Sequence, residues 1–407
     1  MQKYLLLPAL ASMTALACGS APREESAGRT ASAIINGAAS DSSQDAVVLL
    51  HYADSFESFE CSGSLLAPNL VLTARHCVSK TSDVPFTCTV QGVGSAGGDT
   101  QGDFTASKIY VITGAKRPAD PSAAGQYAAI GAKIIDDGAK NLCDHDIALL
   151  LLDRAIPNAQ ILPVRVDAPA QATEPFTAIG WGVTTTTTEP QTRQQRAGIA
   201  VRTVGPAVDK GTDAQVPDRE FVVGEGTCEG DSGGPELSAT TGAVFGVVSR
   251  GGNGSTANPS NPASSCVDGV NYYSMTSGYK QLLTDAYAAA GQDPWFEGGP
   301  DPRLAKFGET CAGPDACRSN MCLTDDKGAF TTCSQACDDG NPCPDGYKCK
   351  AIPAGGGECF VPPPPTVTTT KSGCSATGGA PSDALLLAVG AIAGAWRRRR
   401  RVTRAVP

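Results

Sequence analysis

Histidine is scarce in this chain: only His51, His76 and His145 occur among 407 residues, beside four methionines and three tryptophans. A general base working near neutral pH is most often histidine, so the search for one narrows to three positions. Positive charge is not in excess either. The formal net charge is −9, which excludes the basic footprint that a nucleic-acid partner requires. Long apolar runs are also missing. The stretches from Leu5 to Ala17 and from Ala384 to Trp396 both fall short of the roughly 20 residues of a stable membrane span. The length allows two or three domains of about 150 residues each, enough for a sizeable core.

Cysteine, by contrast, is abundant, with sixteen residues. Its meaning depends on the redox compartment, and the N-terminus speaks to that. "MQKYLLLPALASMTALACGSA" has one early charge, Lys3, then a short apolar core and small residues, the form of a secretory signal over residues 1–21. "ALAC" ends at Cys18 and resembles a bacterial lipoprotein box, with Leu16 one place too near the cysteine. Lipidation at Cys18 and ordinary cleavage near Ala17 to Ala21 both stay open. Export makes disulfides available to the remaining cysteines. Six fall in the central region: Cys61, Cys77, Cys88, Cys143, Cys228 and Cys266. Eight crowd between Cys311 and Cys359, and Cys374 stands alone. Six and eight are both even, as closed disulfide sets require.

Composition then divides the chain. Residues 22–33 are small, polar and charged, the character of a flexible pro-segment. From 34 to 297, short apolar runs such as "AVVLLHY", "NLVLTA", "DIALLLL" and "AVFGVVS" alternate with Gly, Pro, Asn and Asp turns. Helical periodicity enters only late, in "SMTSGYKQLLTDAYAAAG". The fold class is therefore all-β with a C-terminal helix. Residues 298–310 form a linker. Residues 311–359 form a cysteine-rich module too small to build a sufficient apolar core without cross-links. Zinc is disfavoured there, because the module lacks paired CxxC knuckles and histidine. Residues 360–371, with "VPPPPTVTTT", read as a stiff spacer.

The tail, 372–407, holds "SGC", a polar spacer, the short apolar run and "RRRRR". Arginines of this kind stay on the cytoplasmic side of a membrane. The arrangement resembles the C-terminal sorting signals of myxobacterial surface proteins, with Gly373 and Cys374 at the processing site. A plain tail anchor is the other reading. Either implies a secreted protein retained at the cell surface or outer membrane.

The chemistry concentrates in "EGTCEGDSGGP", 225–235. A serine hydroxyl is a poor nucleophile until a base takes its proton, and the base needs an acceptor to hold its tautomer. Ser232 lies beside glycines that allow unusual backbone angles. The N–H groups of Gly230 and Ser232 can then converge on one oxyanion. Asp146 heads the apolar run from Ile147 to Leu152, where it is shielded from water and able to fix an imidazole.

Four motifs in order carry a family resemblance: "IING" at 34–37, "TARHC" around His76, "DIALL" from Asp146 and "GDSGGP" around Ser232. With "GWG" and "GVVSRGG", they resemble the chymotrypsin-like (trypsin) family of serine proteases over residues 34–297. The resemblance implies two six-stranded antiparallel β-barrels. It implies Ser232 as nucleophile, His76 as general base then acid, and Asp146 as its orienting partner. Gly230 and Ser232 would form the oxyanion hole. Asp231 would pair with the amino group of Ile34 once the pro-segment is removed, which makes the protein a zymogen awaiting an activating protease. His51, His145, Asp144 and Asp153 are left with structural or solvated roles. The implied bridges are Cys61–Cys77 and Cys228–Cys266, with Cys88 and Cys143 left over as a third pair. No metal and no cofactor enters this chemistry, and the partners are protein or peptide substrates.

Departures from the family bear on specificity. Arg75 stands where an alanine is usual, and beside the catalytic histidine it must point outward. Asn36 replaces a glycine, and Arg250 replaces an aromatic residue in the groove wall. The residue before Ile34 is Ala33, so trypsin-like self-cleavage is not an evident activation route. The pocket comprises Gly226, Thr227, Ser249, Gly251, Asp268 and Gly269. Gly226 replaces the aspartate that would receive Arg or Lys. A wide uncharged pocket implies bulky apolar or aromatic side chains, or broad specificity, unless Asp268 turns inward and restores charge. A catalytically inactive binding or adhesion protein on the same fold is the rival functional reading.

Overall fold

A computed structural model describes residues 34–361, apart from 83, 85, 96, 325–327 and 353–355. The leader, the pro-segment, the spacer from 362 on and the C-terminal signal lie outside the described residues. Strands Val47–Ala53, Ser58–Ala67, Leu70–Thr73, Ile109–Ile112, Ala129–Ile135 and Ala148–Leu152 close into an antiparallel barrel. Runs such as "VVLL" and "LVLT" bury every residue, because both the interior and the neighbouring elements take apolar faces. The first hairpin turns at Asp54, whose Oδ1 accepts from the N–H groups of Phe56 and Glu57 at 2.7 and 3.0 Å.

The second half is an eight-membered antiparallel sheet in which two members are two-residue strands, Ala38–Ala39 and Thr203–Val204. Ala38–Ala39 lies outside Gln194–Ala200 at one edge, and the chain runs on from Gln194–Ala200 to Thr203–Val204 at the other edge, which curls the sheet round on itself. Gln194–Ala200 pairs with Pro175–Gly180, and Thr203–Val204 pairs with Glu220–Val223. Between them lie Pro235–Ser238, Val244–Gly252 and Val270–Met275, giving six strand stretches round the ring. Phe176, Phe221, Phe245 and Tyr273 fill the interior, with Phe221 and Tyr273 stacked at 5.0 Å between ring centroids. Ile34 is buried in this same core.

Helix α1, Lys280–Ala290, turns Leu283, Ala286, Tyr287 and Ala290 inward, the spacing of one helical face. They join the core of the first barrel, and Tyr287 Oη donates to the Leu66 carbonyl at 3.3 Å. Gly291 ends the helix in the left-handed conformation, φ 65°. The chain thus returns from the second barrel to clamp the first, which fixes the cleft between them.

Three bridges hold the barrel region: Cys61–Cys77, Cys88–Cys143 and Cys228–Cys266. The module has four: Cys311–Cys322, Cys317–Cys333, Cys337–Cys349 and Cys343–Cys359. Among its described residues, the buried apolar side chains are cysteines, so the bridges are the core. Arg318 ties the module to the segment after α1 through Asp293, at 2.9 Å.

Candidate active site

His76 and Asp146 come from the first barrel. His76 sits in a single 3₁₀ turn, Arg75–Cys77, directly after strand Leu70–Thr73, and Cys77 is pinned to Cys61. Asp146 precedes strand Ala148–Leu152 and is almost wholly buried. Its Oδ2 lies 2.8 Å from His76 Nδ1, and its Oδ1 accepts from the His76 backbone N–H at 3.0 Å. Two serines of the second barrel complete the carboxylate's surroundings. Ser249 Oγ donates to Oδ2 at 2.6 Å, and Ser274 Oγ donates to the Asp146 carbonyl at 2.9 Å.

These contacts set the charges. Burial alone pushes the imidazole pKa down, but the Asp146 carboxylate outweighs it and holds His76 above its ordinary 6.5. Burial pushes Asp146 upward, yet His76 and the hydrogen bond from Ser249 keep it below its ordinary 3.8. The pair is therefore a carboxylate bound to an imidazole whose other nitrogen, Nε2, lies 3.8 Å from Cys77 Sγ.

Ser232 is in the loop before strand Pro235–Ser238, and its carbonyl accepts from the Ser62 N–H at 2.8 Å. His76, Asp146 and Ser232 all line one cavity of about 530 Å³ between the barrels. Gly230 and Gly233 flank the serine with φ of 90° and 78°. A side chain on Gly233 would meet Thr73 Oγ1 at 2.1 Å, so the loop can approach the first barrel only as glycine. Among the described residues, no acceptor takes the N–H of Gly230 or of Ser232. Two backbone donors therefore remain beside the serine hydroxyl.

Asp231 is fully buried, and its carboxylate accepts from the Gly182 and Cys228 N–H groups at 2.8 and 3.0 Å. Burial still raises its pKa to about 7. Ile35 N donates to the Gly226 carbonyl at 3.0 Å, so the "IING" segment runs beside this loop. Glu236, also buried, has no hydrogen-bond partner for either oxygen among the described residues, and burial drives its pKa well up.

The cavity lining includes some of the expected pocket residues and not others. Thr227, Ser249 and Gly251 line the cavity, but Gly226 and Gly269 are not among its lining residues. Gly226 lies behind, where an added side chain would meet Tyr273 Oη at 3.3 Å. Asp268 is exposed, with φ 55° and its N–H donated to Glu225 Oε2 at 3.0 Å, and does not line the cavity. The wall position belongs instead to Asn271, which is directly opposite Gly251 in the antiparallel register. The sequence hid Asn271 because "DGV" drew attention to Gly269, while the register that places Asn271 depends on the pairing with Val248–Gly252.

Arg75 does not point into solvent. It is buried and ion-paired with Asp103 at 2.9 Å and with Asp136. Two carboxylates distant in sequence, Asp103 at the end of strand Thr100–Asp103 and Asp136 just after strand Ala129–Ile135, make that burial tolerable, and nothing near Arg75 announces them. Arg250 does line the cavity, and its guanidinium meets Glu220 through both terminal nitrogens at 2.5 and 2.9 Å. It also lies 4.2 Å over the Tyr272 ring. Glu220 is wholly buried and accepts the Asp144 N–H at 2.9 Å as well, which ties the loop carrying Asp146 to this pair. His51 lies 3.3 Å from Glu60, and His145 lies 2.5 Å from Asp137, both away from the cavity. Asp144 accepts from the Arg219 N–H at 2.6 Å and Asp153 from the Ile130 N–H at 2.9 Å, so both brace loops.

Two β-barrels meeting at a carboxylate-bound histidine and a glycine-flanked serine define a serine-protease domain. Comparison agrees: the family described as Trypsin matches residues 34–267, and the chain belongs to that family. Phenoloxidase-activating factor 3 of Holotrichia diomphalia is 28% identical over 222 residues, 48% of this chain and 57% of that protein. Phenoloxidase-activating factor 1 of the same organism is 29% identical over 214 residues, 49% of this chain and 56% of that protein. The match spans little more than half the length of these relatives.

Proposed function

We propose that the protein is a serine endopeptidase made as a zymogen, with Ser232 as nucleophile, His76 as general base and then acid, and Asp146 as its orienting carboxylate. The observation that carries this is the His76 Nδ1–Asp146 Oδ2 contact of 2.8 Å at the wall of the cavity that Ser232 lines. Ser232 Oγ attacks the substrate carbonyl while His76 takes its proton. The tetrahedral oxyanion is held by the unclaimed N–H groups of Gly230 and Ser232. His76 returns the proton to the leaving amine, and water then cleaves the acyl-enzyme by the same steps in reverse roles.

The zymogen reading rests on Asp231 and Ile34. Among the described residues, this buried carboxyl at about 7 has no cationic partner. A new amino group on Ile34 supplies one and orders the loop that carries Gly230 and Ser232. The relatives bear the name of activating factors, which accords with a protease that acts on other proteins. Among the described residues no helix is long and apolar enough to cross a membrane. Secretion and surface retention are therefore proposed on the terminal sequences alone, and a module of four short-range bridges, 311–359, would act there as a stalk or docking unit.

Of the described charged residues that line the cavity, Arg250 is neutralised by Glu220 and Asp146 is bound to His76, while Glu229 is exposed to solvent; with Asp268 outside the lining, no buried charge among them is left to pair with a charged substrate side chain. Uncharged side chains before the scissile bond are thus the expected substrates. Labelling with a fluorophosphonate tests the function. Ser232 of the mature protein should be modified, and Ser232→Ala should abolish both labelling and peptide cleavage. A mature protein that is folded yet unlabelled would favour the inactive binding protein instead.

A further inference from the structure

Gly251 and Asn271 face each other across two paired strands, so their side-chain directions share one face of the sheet. That face lines the cavity, and on Gly251 it is empty. A methyl group there would fall 2.2 Å from Asn271 Oδ1, which means the amide occupies the space an open pocket would leave. The amide is held in place. Asn271 Nδ2 donates to the Gly224 carbonyl at 2.9 Å, and Thr227 Oγ1 lies 3.4 Å from Asn271 Oδ1. Thr227 Oγ1 in turn lies 3.3 Å from Tyr273 Oη. Asn271, Thr227 and Tyr273 form a nearly solvent-free polar layer, with Gly226 behind it and outside the cavity lining. The deep end of the pocket is therefore closed by a hydrogen-bonded, uncharged floor. A long or aromatic side chain would have to break these bonds and leave buried polar atoms unpaired. A methyl-sized side chain would not.

We propose that this floor makes the enzyme selective for small uncharged residues, and that its substrates include its own Ala33–Ile34 bond, cut while Ile34 is out of the core it otherwise fills, so that one mature molecule matures the next. The inference rests on the endopeptidase reading above and narrows it. Ala33, outside the described residues, enters only through its identity: the activation segment reads "TASA" before "IING". The step balances as ordinary hydrolysis between two molecules. Ser232 Oγ of the mature copy bonds to the Ala33 carbonyl carbon, and its proton passes through His76 to the nitrogen of Ile34 as the C–N bond breaks. Water then supplies hydroxide to the Ala33 carbonyl and a proton, through His76, back to Ser232 Oγ. No co-reactant other than water is required.

The test makes the mature enzyme without relying on Ala33, by placing the enteropeptidase sequence Asp-Asp-Asp-Asp-Lys before Ile34 in the full chain. Peptides differing only in Ala, Ser, Leu, Phe or Arg before the scissile bond are then compared. Ala should exceed Phe and Arg in kcat/KM by about tenfold or more. Asn271→Gly should shrink or reverse the Ala-to-Phe ratio of kcat/KM, read on protein whose circular dichroism matches that of the wild type. Added mature enzyme should cut the Ser232→Ala precursor to a product beginning Ile-Ile-Asn-Gly. An enzyme that labels at Ser232 but cleaves after Phe or Arg as well as after Ala overturns the proposal, as does one that leaves the Ser232→Ala precursor intact. Loss of labelling in the enteropeptidase-matured wild type would instead sink the endopeptidase reading itself, and this proposal with it.

Discussion

Ser249 Oγ donates to Asp146 Oδ2 at 2.6 Å, and the two residues belong to different barrels. The carboxylate bound to His76 is thus gripped from both halves of the fold. Hydrogen bonds to charged groups are worth about 1.5–3 kcal/mol. Ser249→Ala should lower kcat roughly tenfold or more with little change in KM, measured on the mature enzyme. An unchanged kcat would show that the donor does not hold Asp146 in its working position.

The pH profile follows from the same pair. In the proposed mechanism the neutral imidazole is the base, and Asp146 raises the His76 pKa above 6.5 despite burial. Activity should therefore fall with acidification through one ionisation lying above 6.5 in the profile of kcat/KM. Asp146→Asn removes the carboxylate, and the acid limb should move to lower pH while kcat drops on the order of 10⁴-fold. A limb that stays put in Asp146→Asn would assign the ionisation to another group.

Glu236 predicts a gain in stability on replacement. Its carboxyl is buried without a partner among the described residues, and burial raises its pKa well above the ordinary 4.5. The folded state then holds a proton that the unfolded chain releases above pH 4.5, so stability falls as pH rises through and beyond that value. Glu236→Gln should raise the thermal midpoint at neutral pH and leave it nearly unchanged near pH 4. Equal effects at both pH values would point to packing and not to ionisation.

The pair Arg250–Glu220 should behave as one unit. Breaking a buried pair by removing one partner costs about 3–5 kcal/mol, whereas replacing both with apolar groups is often neutral. Glu220→Gln alone should destabilise the fold strongly, and Glu220→Leu with Arg250→Met should recover most of the loss. Denaturant unfolding of the three proteins decides it, and an additive double variant would mean that the two charges do not depend on each other.

Much of this architecture was legible because it rests on local patterns. Strands such as Val47–Ala53 announce themselves as β-branched and leucine runs, and "GDSGGP" carries its own backbone logic in Gly230 and Gly233. What escaped reading depends on long-range register. Asn271 gains its place only by pairing with Gly251, and Arg75 is accommodated only because Asp103 and Asp136 fold against it. Glu220 lies 30 residues before Arg250, with no spacing rule to join them. Such contacts are decided by sheet geometry, which one-dimensional periodicity does not encode.

Strand Val244–Gly252 has a further consequence. It is paired on both sides as far as Val247, and past Val248 only Val270–Tyr272 remains beside it. From Ser249 onward its other flank borders the cavity, with no strand there among the described residues. An extended peptide can dock on that flank through its own amides, as a temporary extra strand. Grip would then come from main chain common to every sequence, and the burden of choosing among polypeptides falls on very few side chains. On the proposed reading, a single amide at the bottom of the cleft would redirect which polypeptides are cut.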